Sequence, residues 1–545
     1  MPKYTAQVLL IILSLALLLP GISRLPVIDR DEAHFAQASR QMVETGNYFQ
    51  VRFQDVTRFQ KPPGINWLQA ASVNMVGESS ADGIWVYRIP SLLGAVLSVL
   101  FTFLFAKRFI TTKAAFLASA LLASTLLFSV ETHMAVIDAS LLFSVVLMQG
   151  ALWVIYSAAK EGKGVAWGWP LLFWLAMTYG TVLKGVTPLI GILTVLCLLI
   201  LERKTSCLKG LRIIPGLALF AGLNLVWLMM LNQAEHSNYL MQMLHKDLLP
   251  KLQGGHESHG KPPLFHLVLL PLTFWPASLF LWQAGVYAVK HHSESVVLFL
   301  LAWIIPTWVF FELMPTKLPQ YILPTFPAIA VLCALSIFQS QPGEKPGTWL
   351  RTLQLLWGVM TVGFAFSLVL IPYLLLEKLT LLAILVGIMV IGLSLMALFM
   401  AWKGNYRQAS VAVVFTALFS FPLIFSGLLP QLQPLWISKN VAESIDKSKI
   451  SPEHPLVAVG FSEPSLVFYL QTHDVVFADL ASLSKLEPNL ALLLMDQKSY
   501  ESLSNKESYS MVSPTKGYNY SKGKWTDLVL LEPILSIHPN ERRVE

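Results

Sequence analysis

Charged residues are scarce in this chain. Only 13% of its 545 residues are Asp, Glu, Lys or Arg, whereas 55% are hydrophobic and the mean hydropathy is +0.59. A soluble domain needs more charge to cover its surface, so this composition excludes a soluble protein built around one core. It indicates a polytopic α-helical membrane protein, in which most side chains face lipid or other helices.

Cysteine is also rare, and nucleotide-binding motifs are missing. Cys197, Cys207 and Cys333 fall in or beside apolar segments, which excludes a disulfide framework and a thiolate metal motif. The sequence has neither a phosphate loop nor a Rossmann fingerprint. The net charge of +7 comes from short Lys and Arg clusters between apolar runs. This pattern predicts membrane orientation rather than nucleic-acid binding.

Apolar runs long enough to cross a bilayer recur along the first 430 residues. The run 8–19 is compatible with a signal peptide, but it lacks a clear small-x-small cleavage site, so we interpret it as a first span. With the later runs it predicts about 13 transmembrane helices. Those later runs are 89–109, 114–130, 136–157, 167–183, 187–201, 213–231, 264–289, 296–313, 321–338, 353–375, 379–402 and 411–429.

The basic clusters fall in alternate loops between these spans. Because loops rich in Lys and Arg stay in the cytoplasm, the other loops are expected to face outward. The first outward loop, 26–88, is expected to carry two short interfacial helices near 32–43 and 63–76, with Gly46 ending the first. The other outward segments are the turns 131–135 and 312–320, the turn around Lys184, a flexible loop at 232–263, and everything after 429.

The composition changes after residue 430. Lys, Asp, Glu and Ser become more frequent, and apolar residues fall into short runs. Short β-like runs separated by helical or turn stretches predict a small α/β domain over 431–545, on the side opposite the cytoplasm. The runs are 455–460, 465–471, 475–480, 490–495 and 528–531.

Ionisable residues collect where three outward loops meet the spans. Asp138, in the apolar stretch VIDASLLF, is costly in lipid and is expected to face a cavity or a partner. Each residue also has a simpler interpretation: Asp31 could cap a helix, Lys61 and Lys184 could reach the headgroups, and Asp138 could pair with Lys184. Together these loops supply Asp29, Asp31, Glu32, Arg58, Lys61, Glu131, His133, Asp138, Glu312, Lys317 and Tyr321.

Several of these residues lie in motifs with a recognisable order. Asp31 to Ala36 read DEAHFA, Phe59 to Pro63 read FQKPP, Arg88 to Ser91 read RIPS, and Lys317 to Pro324 read KLPQYILP, with GFSEPSLVFYL later at Gly460 to Leu470. Over nearly the whole chain this order resembles the aminoarabinose lipid A transferase (ArnT) family. That family belongs to the GT-C class of polyprenyl-phosphate-dependent glycosyltransferases and is related to the protein O-mannosyltransferases.

The resemblance implies roles for particular residues. Asp31 and Asp138 would be the catalytic acids, and Lys61 and Tyr321 would lie at the donor phosphate. We further expect Arg58 and Lys317 to contact that phosphate, and Asp29, Glu32 and Lys184 to contact substrate. An alcohol acceptor would need a carboxylate as general base, whereas an anionic phosphate acceptor would need orientation instead. Direct displacement predicts inversion at the anomeric carbon.

A metal site is a separate question. The resemblance implies a structural zinc held by a histidine of the loop 245–266 and by an acid immediately before the KPP lysine. Here that residue is Gln60, a poor zinc ligand, which argues against the site. His256 and His259 remain the candidate metal pair, with a solvated polar loop as the alternative. No cofactor is expected to be required for the chemistry.

The leading hypothesis is a monomeric enzyme of the bacterial inner membrane with its site on the periplasmic face. It would move aminoarabinose or a related sugar from undecaprenyl phosphate to lipid A or another envelope glycolipid. The enzyme alternative uses the same donor on protein hydroxyls or an envelope polysaccharide. The non-enzyme alternative is a lipid or solute transporter, against which the sequence shows no inverted repeat and no paired broken helices.

Overall fold

The structure is a computed structural model of the chain. It describes residues 4–235, 238–245, 249, 260–341, 343, 345–448, 455–470, 475–483 and 491–534. Helices dominate as far as residue 448, and a small mixed sheet follows. The predicted metal pair, His256 and His259, lies outside these ranges.

Long apolar helices make up the first part of the chain. The α-helices are Thr5–Leu18, Asp31–Thr45, Gly64–Val76, Ile84–Ala106, Thr112–Ala123, Leu126–Thr132, Asp138–Lys160, Gly168–Leu183, Pro188–Glu202, Ser206–Leu211, Ile213–Glu235, Tyr239–Met243, Phe265–Thr273, Leu281–Lys290, Ser295–Leu313, Phe326–Gln339, Thr348–Leu376, Leu381–Trp402 and Tyr406–Leu423. Two 3₁₀ segments important for packing are Ala277–Phe280 and Pro319–Thr325.

Within the described residues, eight helices are long and apolar enough to cross a membrane, or up to ten if each of two bent pairs is one span. The predicted multi-span membrane protein is therefore confirmed, whereas the count of thirteen stays a prediction. The difference comes from three predicted spans that are helices of only 14, 16 and 15 residues: Thr5–Leu18, Gly168–Leu183 and Pro188–Glu202. At 1.5 Å per residue such helices reach about 21–24 Å.

Two of the predicted spans are broken, which the sequence did not reveal. Thr112–Ala123 and Leu126–Thr132 meet at 62°, and Phe265–Thr273 and Ala277–Lys290 meet at 113°. The breaks lie against each other, because the Leu126 amide donates to the Trp275 carbonyl at 2.8 Å. The backbone groups exposed by such breaks are tolerated in a membrane protein where protein rather than lipid surrounds them. The interpretation that the chain has no paired broken helices, which argued against a transporter, is therefore wrong.

The region 26–88 contains the two predicted short helices, Asp31–Thr45 and Gly64–Val76. Gly46 ends the first of them in a left-handed conformation with φ of 66°, as predicted. Most of Asp31–Thr45 is buried, including polar side chains such as Gln37 and Arg40. Protein rather than an open interface therefore covers this helix. A two-residue hairpin, β1 (Arg52–Phe53) with β2 (Val56–Thr57), follows.

A five-stranded sheet with three helices follows the membrane part. Its strands are β3 (Leu456–Val459), β4 (Val475–Ala478), β5 (Leu492–Asp496), β6 (Tyr509–Asn519) and β7 (Lys524–Pro533), and its helices are Ile437–Ser448, Pro464–Leu470 and Gln497–Glu501. The strand order is β4-β3-β5-β7-β6, with β3 parallel to both neighbours and β7 antiparallel to both of its own. We call residues 437–533 the C-terminal unit.

Two secondary-structure predictions for this unit were wrong. The apolar run 465–471 is not a strand, because Pro464 starts a short helix that covers one face of the sheet. The longest strand, β6, was missed because its side chains are mostly polar and partly exposed at the edge of the sheet. Hydrophobic pattern therefore identified β3, β4, β5 and part of β7, but not the polar edge strand β6.

Candidate active site

A cavity of about 300 Å³ opens between the region 26–88 and several helices. Its lining combines two ammonium groups and a phenol, from Lys61, Lys184 and Tyr321, with a mainly apolar surface. The remaining lining residues are Gln60, Pro62, Thr181, Gly185, Val186, Phe220, Asn224, Trp227, Leu228, Leu240, Met243, Leu244, Phe311 and Met314. Such a lining suits an amphipathic ligand with an anionic head and a hydrocarbon tail.

Lys184 and Asp138 form an ion pair beside this cavity. Lys184 Nζ lies 2.9 Å from Asp138 Oδ1, and both side chains are mostly buried, at 14% and 11% exposure. The ammonium group also lies 4.9 Å from the centre of the Tyr321 ring, a cation–π contact. Asp138 starts the helix Asp138–Lys160, where the helix dipole favours a carboxylate. The pairing considered as the simpler interpretation of Asp138 is thus present.

Glu131 belongs to the same group of charges. It is buried and lies within electrostatic range of Asp138, Lys184 and Asp31. Among the described residues, no hydrogen-bond partner is found for its Oε2 atom. The bend before Leu126–Thr132 sets the direction of this short helix and so of Glu131. The sequence prediction gives this acid no role in the site, although the cost of a carboxylate in an apolar run is a usable signal.

Asp31 and Glu32 are adjacent but have opposite surroundings. Asp31 is exposed in the first turn of its helix. Glu32 is enclosed: its carboxylate accepts two hydrogen bonds from Arg88, at 2.7 and 2.8 Å, and one from the Ala135 amide at 2.6 Å. With its side chain at 0% exposure, Glu32 is a structural ion pair, and the predicted substrate contact is not supported. Asp31 is the acid that the structure leaves accessible.

Asp29 also turns away from the cavity. Its carboxylate accepts hydrogen bonds from the Ser465 amide and from Ser465 Oγ, both at 2.8 Å. Its own amide donates to the Tyr520 hydroxyl at 2.7 Å. Burial raises the pKa of Asp29 to about 7, and nearby Glu463 adds to the effect, although the bonds from Ser465 oppose it. The predicted substrate contact of Asp29 is therefore replaced by a contact with the C-terminal unit.

Lys61 reaches the cavity because of the glycine that follows the two prolines. A Cβ on Gly64 would lie 2.5 Å from the Val182 carbonyl oxygen, so only glycine allows this close approach to the helix Gly168–Leu183. Lys184 follows directly after that helix. The carbonyl of Lys61 accepts a hydrogen bond from the Tyr239 hydroxyl at 2.8 Å. The KPPG motif thus brings Lys61 and Lys184 to one cavity.

Arg58 lies nearby but does not line the cavity. Its guanidinium group is 5.7 Å from the centre of the Phe35 ring. Burial lowers the pKa of His34 to about 3, and the positive charge of Arg58 adds to the effect. His34 is therefore neutral at pH 7. Because Arg58 is not among the lining residues of the cavity, its contact with the donor phosphate stays a prediction.

Lys317 is separated from the cavity as well. It is 4% exposed, and its Nζ donates to the Lys261 carbonyl at 3.2 Å. A neighbouring contact joins His266 Nδ1 to Glu312 at 3.0 Å. Of the KLPQYILP motif, the geometry therefore brings Tyr321 and not Lys317 to the candidate site. No group of three or more metal-ligating side chains is found in the part of the chain that the structure describes.

The helical bundle and the C-terminal unit share their fold with solved structures of other proteins. The crystal structure of ArnT from Cupriavidus metallidurans bound to undecaprenyl phosphate matches with a TM-score of 0.75 and 18% identity, covering 97% of this chain and 98% of that chain. An oligosaccharyltransferase from Archaeoglobus fulgidus matches with a TM-score of 0.54 and 12% identity, covering 87% and 64%. These two matches concern the fold.

Sequence comparisons point to the same relatives. Residues 60–229 match the family model described as dolichyl-phosphate-mannose-protein mannosyltransferase. An undecaprenyl phosphate-α-4-amino-4-deoxy-L-arabinose arabinosyl transferase of Pseudomonas aeruginosa (strain LESB58) is 30% identical over 341 residues, 62% of this chain. The matched region spans 60% of that relative's own length. A Pseudomonas fluorescens enzyme of the same name is 28% identical over 307 residues, 55% of this chain and 54% of that enzyme. The resemblance read from the motifs is confirmed.

Proposed function

We propose that this protein transfers a sugar, aminoarabinose or a related one, from undecaprenyl phosphate to lipid A or another envelope glycolipid. The observation that carries the proposal is the cavity in which Lys61, Lys184 and Tyr321 meet a mainly apolar wall. A prenyl chain fits the apolar side, and the lysines suit the phosphate. The names of the relatives in Pseudomonas and the fold shared with ArnT support this choice of donor.

The chemistry follows from the charges at the cavity. The bond between the anomeric carbon and the carrier phosphate breaks as an acceptor oxygen bonds to that carbon from the opposite face, which inverts the configuration. The leaving polyprenyl phosphate gains negative charge in this step. Lys61 and Lys184 lower the barrier by stabilising that charge in a partly apolar site. The ion pair with Asp138 holds Lys184 in place, so we assign Asp138 a positioning role.

Asp31 is then the acid that serves the acceptor or the sugar. If a hydroxyl attacks, Asp31 removes its proton as the new bond forms. If a phosphate of lipid A attacks, the nucleophile is already anionic, and Asp31 instead orients the sugar or its amino group. Its exposure at the start of a helix and its proximity to Glu131 support either role.

The same proposal includes the arrangement in the membrane. Counting as spans both bent pairs, the short apolar helices Thr5–Leu18 and Pro188–Glu202, and the 16-residue helix Gly168–Leu183 gives thirteen, an odd number. With the basic loops in the cytoplasm, the cavity and the C-terminal unit lie in the periplasm and the protein lies in the inner membrane. We also propose that it acts as a monomer and needs no cofactor, since Gln60 is unsuited to the metal site that the family resemblance implies.

Reconstitution tests the proposal. Purified protein in proteoliposomes should transfer aminoarabinose from its undecaprenyl phosphate carrier to lipid A, with the product seen by mass spectrometry and the rate unchanged by EDTA. Unmodified lipid A together with a glycosylated protein or polysaccharide would establish the alternative acceptor, which the family model over residues 60–229 favours. Solute flux that survives Asp31→Asn would instead indicate a transporter.

A further inference from the structure

The motif GFSEPSLVFYL at Gly460 to Leu470 has no part in the cavity, yet it contacts the helix that carries Asp31. Its residues 464–470 form a helix beside Asp31–Thr45. Arg40 Nη1 donates to the Phe468 carbonyl at 2.8 Å, and the guanidinium group lies 4.6 Å from the Phe468 ring centre. Phe468 is 1% exposed and lies edge-on to Tyr87. The C-terminal unit is thus packed onto the candidate active-site loop.

The segment just before Asp31 is held by the same unit. Asp29 receives two hydrogen bonds from Ser465 and gives one to the Tyr520 hydroxyl, all at 2.7–2.8 Å. The Val27 amide donates to the Tyr469 hydroxyl at 3.0 Å. Each of these bonds joins residues more than 430 positions apart in the chain. Four hydrogen bonds, two from the backbone amides of Val27 and Asp29 and two to the Asp29 carboxylate, therefore hold these two residues just before the helix Asp31–Thr45.

A weaker contact continues along the same side. Arg30 Nη2 donates to the Ser521 carbonyl at 3.2 Å, and Arg30 Nε lies 3.6 Å from Glu463. Arg30 is 47% exposed, so solvent screens this pair and it contributes little. Glu463 is itself held by Asn519 at 2.8 Å. The buried contacts of Asp29 are therefore the ones that determine the position of the backbone.

Asp31 lies between two buried anchors. On one side Asp29 is bound by the C-terminal unit, and on the other Glu32 is bound by Arg88 and by the Ala135 amide. Asp31 is exposed and starts its helix, so the direction of its carboxylate depends on how the chain enters that helix. A shift of the Asp29 backbone would move Asp31 relative to the cavity, and catalysis is sensitive to displacements of about 1 Å.

We propose that Ser465 and Tyr520 of the C-terminal unit are positioning residues, which set the geometry of Asp31 through Asp29. This inference rests on the proposed function, because it takes Asp31 as the acid that acts on acceptor or sugar. It assigns the C-terminal unit a part in catalysis from outside the membrane domain. It predicts a loss of turnover without a loss of donor binding, because the Lys61 and Lys184 side of the cavity is untouched.

The test uses the full chain in proteoliposomes with undecaprenyl phosphate aminoarabinose and lipid A. Tyr520→Phe should lower kcat about tenfold, as expected for the loss of one buried hydrogen bond, with donor KM changed less than twofold. Ser465→Ala should lower kcat at least as much, because Ser465 Oγ contacts Ser438 Oγ at 2.6 Å as well as the Asp29 carboxylate. The matched control is Tyr518→Phe, two residues before Tyr520 and near the end of β6, whose ring packs against Trp525. It should match wild type. If Ser465→Ala fails to fold, Tyr520→Phe carries the test, since it keeps the ring near Trp436.

Two further readouts separate positioning from general damage. In an Asp31→Glu background, Tyr520→Phe should cost less than twofold in kcat, because the position that it disturbs is already altered. Hydrogen–deuterium exchange should rise in residues 27–32 of Tyr520→Phe and not of Tyr518→Phe. If the wild type transfers the sugar but Tyr520→Phe has an unchanged kcat or unchanged exchange, the inference is overturned and the proposed function is not. The same holds if the kcat losses of Asp31→Glu and Tyr520→Phe multiply fully in the double variant. Absence of transfer by wild type would overturn the proposed function, and the inference with it.

Discussion

Arg88 is the residue whose replacement tests the structural role of Glu32. Its guanidinium group is fully buried and donates five hydrogen bonds: two to the Glu32 carboxylate and three to the carbonyls of Ile22, Leu25 and Pro26, at 2.7–2.9 Å. Arg88→Lys keeps the charge but offers only three donors, so at least two acceptors lose their partner. Each such loss costs about 1–3 kcal/mol, which predicts a destabilisation of about 2–6 kcal/mol.

The assay is a denaturant titration of the detergent-solubilised protein, followed by tryptophan fluorescence. Arg108→Lys is the matched control, because Arg108 is exposed and only covers the Trp169 ring, at 4.7 Å. It should change the free energy of unfolding by less than about 0.5 kcal/mol. If Arg88→Lys is as stable as this control, the reasoning is refuted.

Glu32→Gln completes the comparison. The substitution removes the negative charge opposite Arg88 and replaces one of the two acceptor oxygens with a donor group. It should therefore destabilise the protein while leaving the donor KM of the folded fraction unchanged. A raised donor KM at wild-type stability would restore the substrate-binding role that the sequence suggested for Glu32.

Three more predictions concern the cavity and the loop. Lys184→Gln should lower kcat/KM at least about 100-fold, because charge stabilisation at the phosphate is lost. Lys184→Arg keeps the positive charge and should retain part of the wild-type kcat/KM. Equal kcat/KM values for the two variants would contradict the role assigned to Lys184. Lys61→Ala should raise the donor KM about tenfold, measured with the same transfer assay, since it removes a charge-assisted contact. Burial raises the pKa of Asp29 from 3.8 to about 7, so the folded chain binds this proton more tightly than the unfolded chain. The stabilisation is complete below pH about 4 and is lost as pH rises through about 7. Asp29→Asn should flatten that dependence of the thermal midpoint; an unchanged slope would exclude Asp29 as its source.

Part of the candidate site could be predicted from local sequence. An acid such as Asp138 in an apolar run must face a cavity or a counter-ion, and the structure provides Lys184 at 2.9 Å. Lys61 could be placed through its KPPG motif, and Tyr321 through the family resemblance. The same argument predicts a cavity or a counter-ion for Glu131. The apolar wall could not be predicted, because local sequence does not distinguish residues such as Trp227 and Met243 from lipid-facing residues before the helices pack.

The sequence by itself determined the class of the protein, because hydropathy, charge and motif order are local properties that do not depend on packing. It indicated a polytopic membrane protein, an α/β unit at the end of the chain, and a resemblance to the ArnT family. Only the tertiary structure decided what the three neighbouring acids do. Asp29 binds the C-terminal unit, Asp31 stays exposed, and Glu32 is buried against Arg88. The partners Ser465 and Tyr520 of Asp29, and Arg88 and Ala135 of Glu32, lie between 56 and 491 positions away, so contacts across the fold, not the local pattern, set these roles.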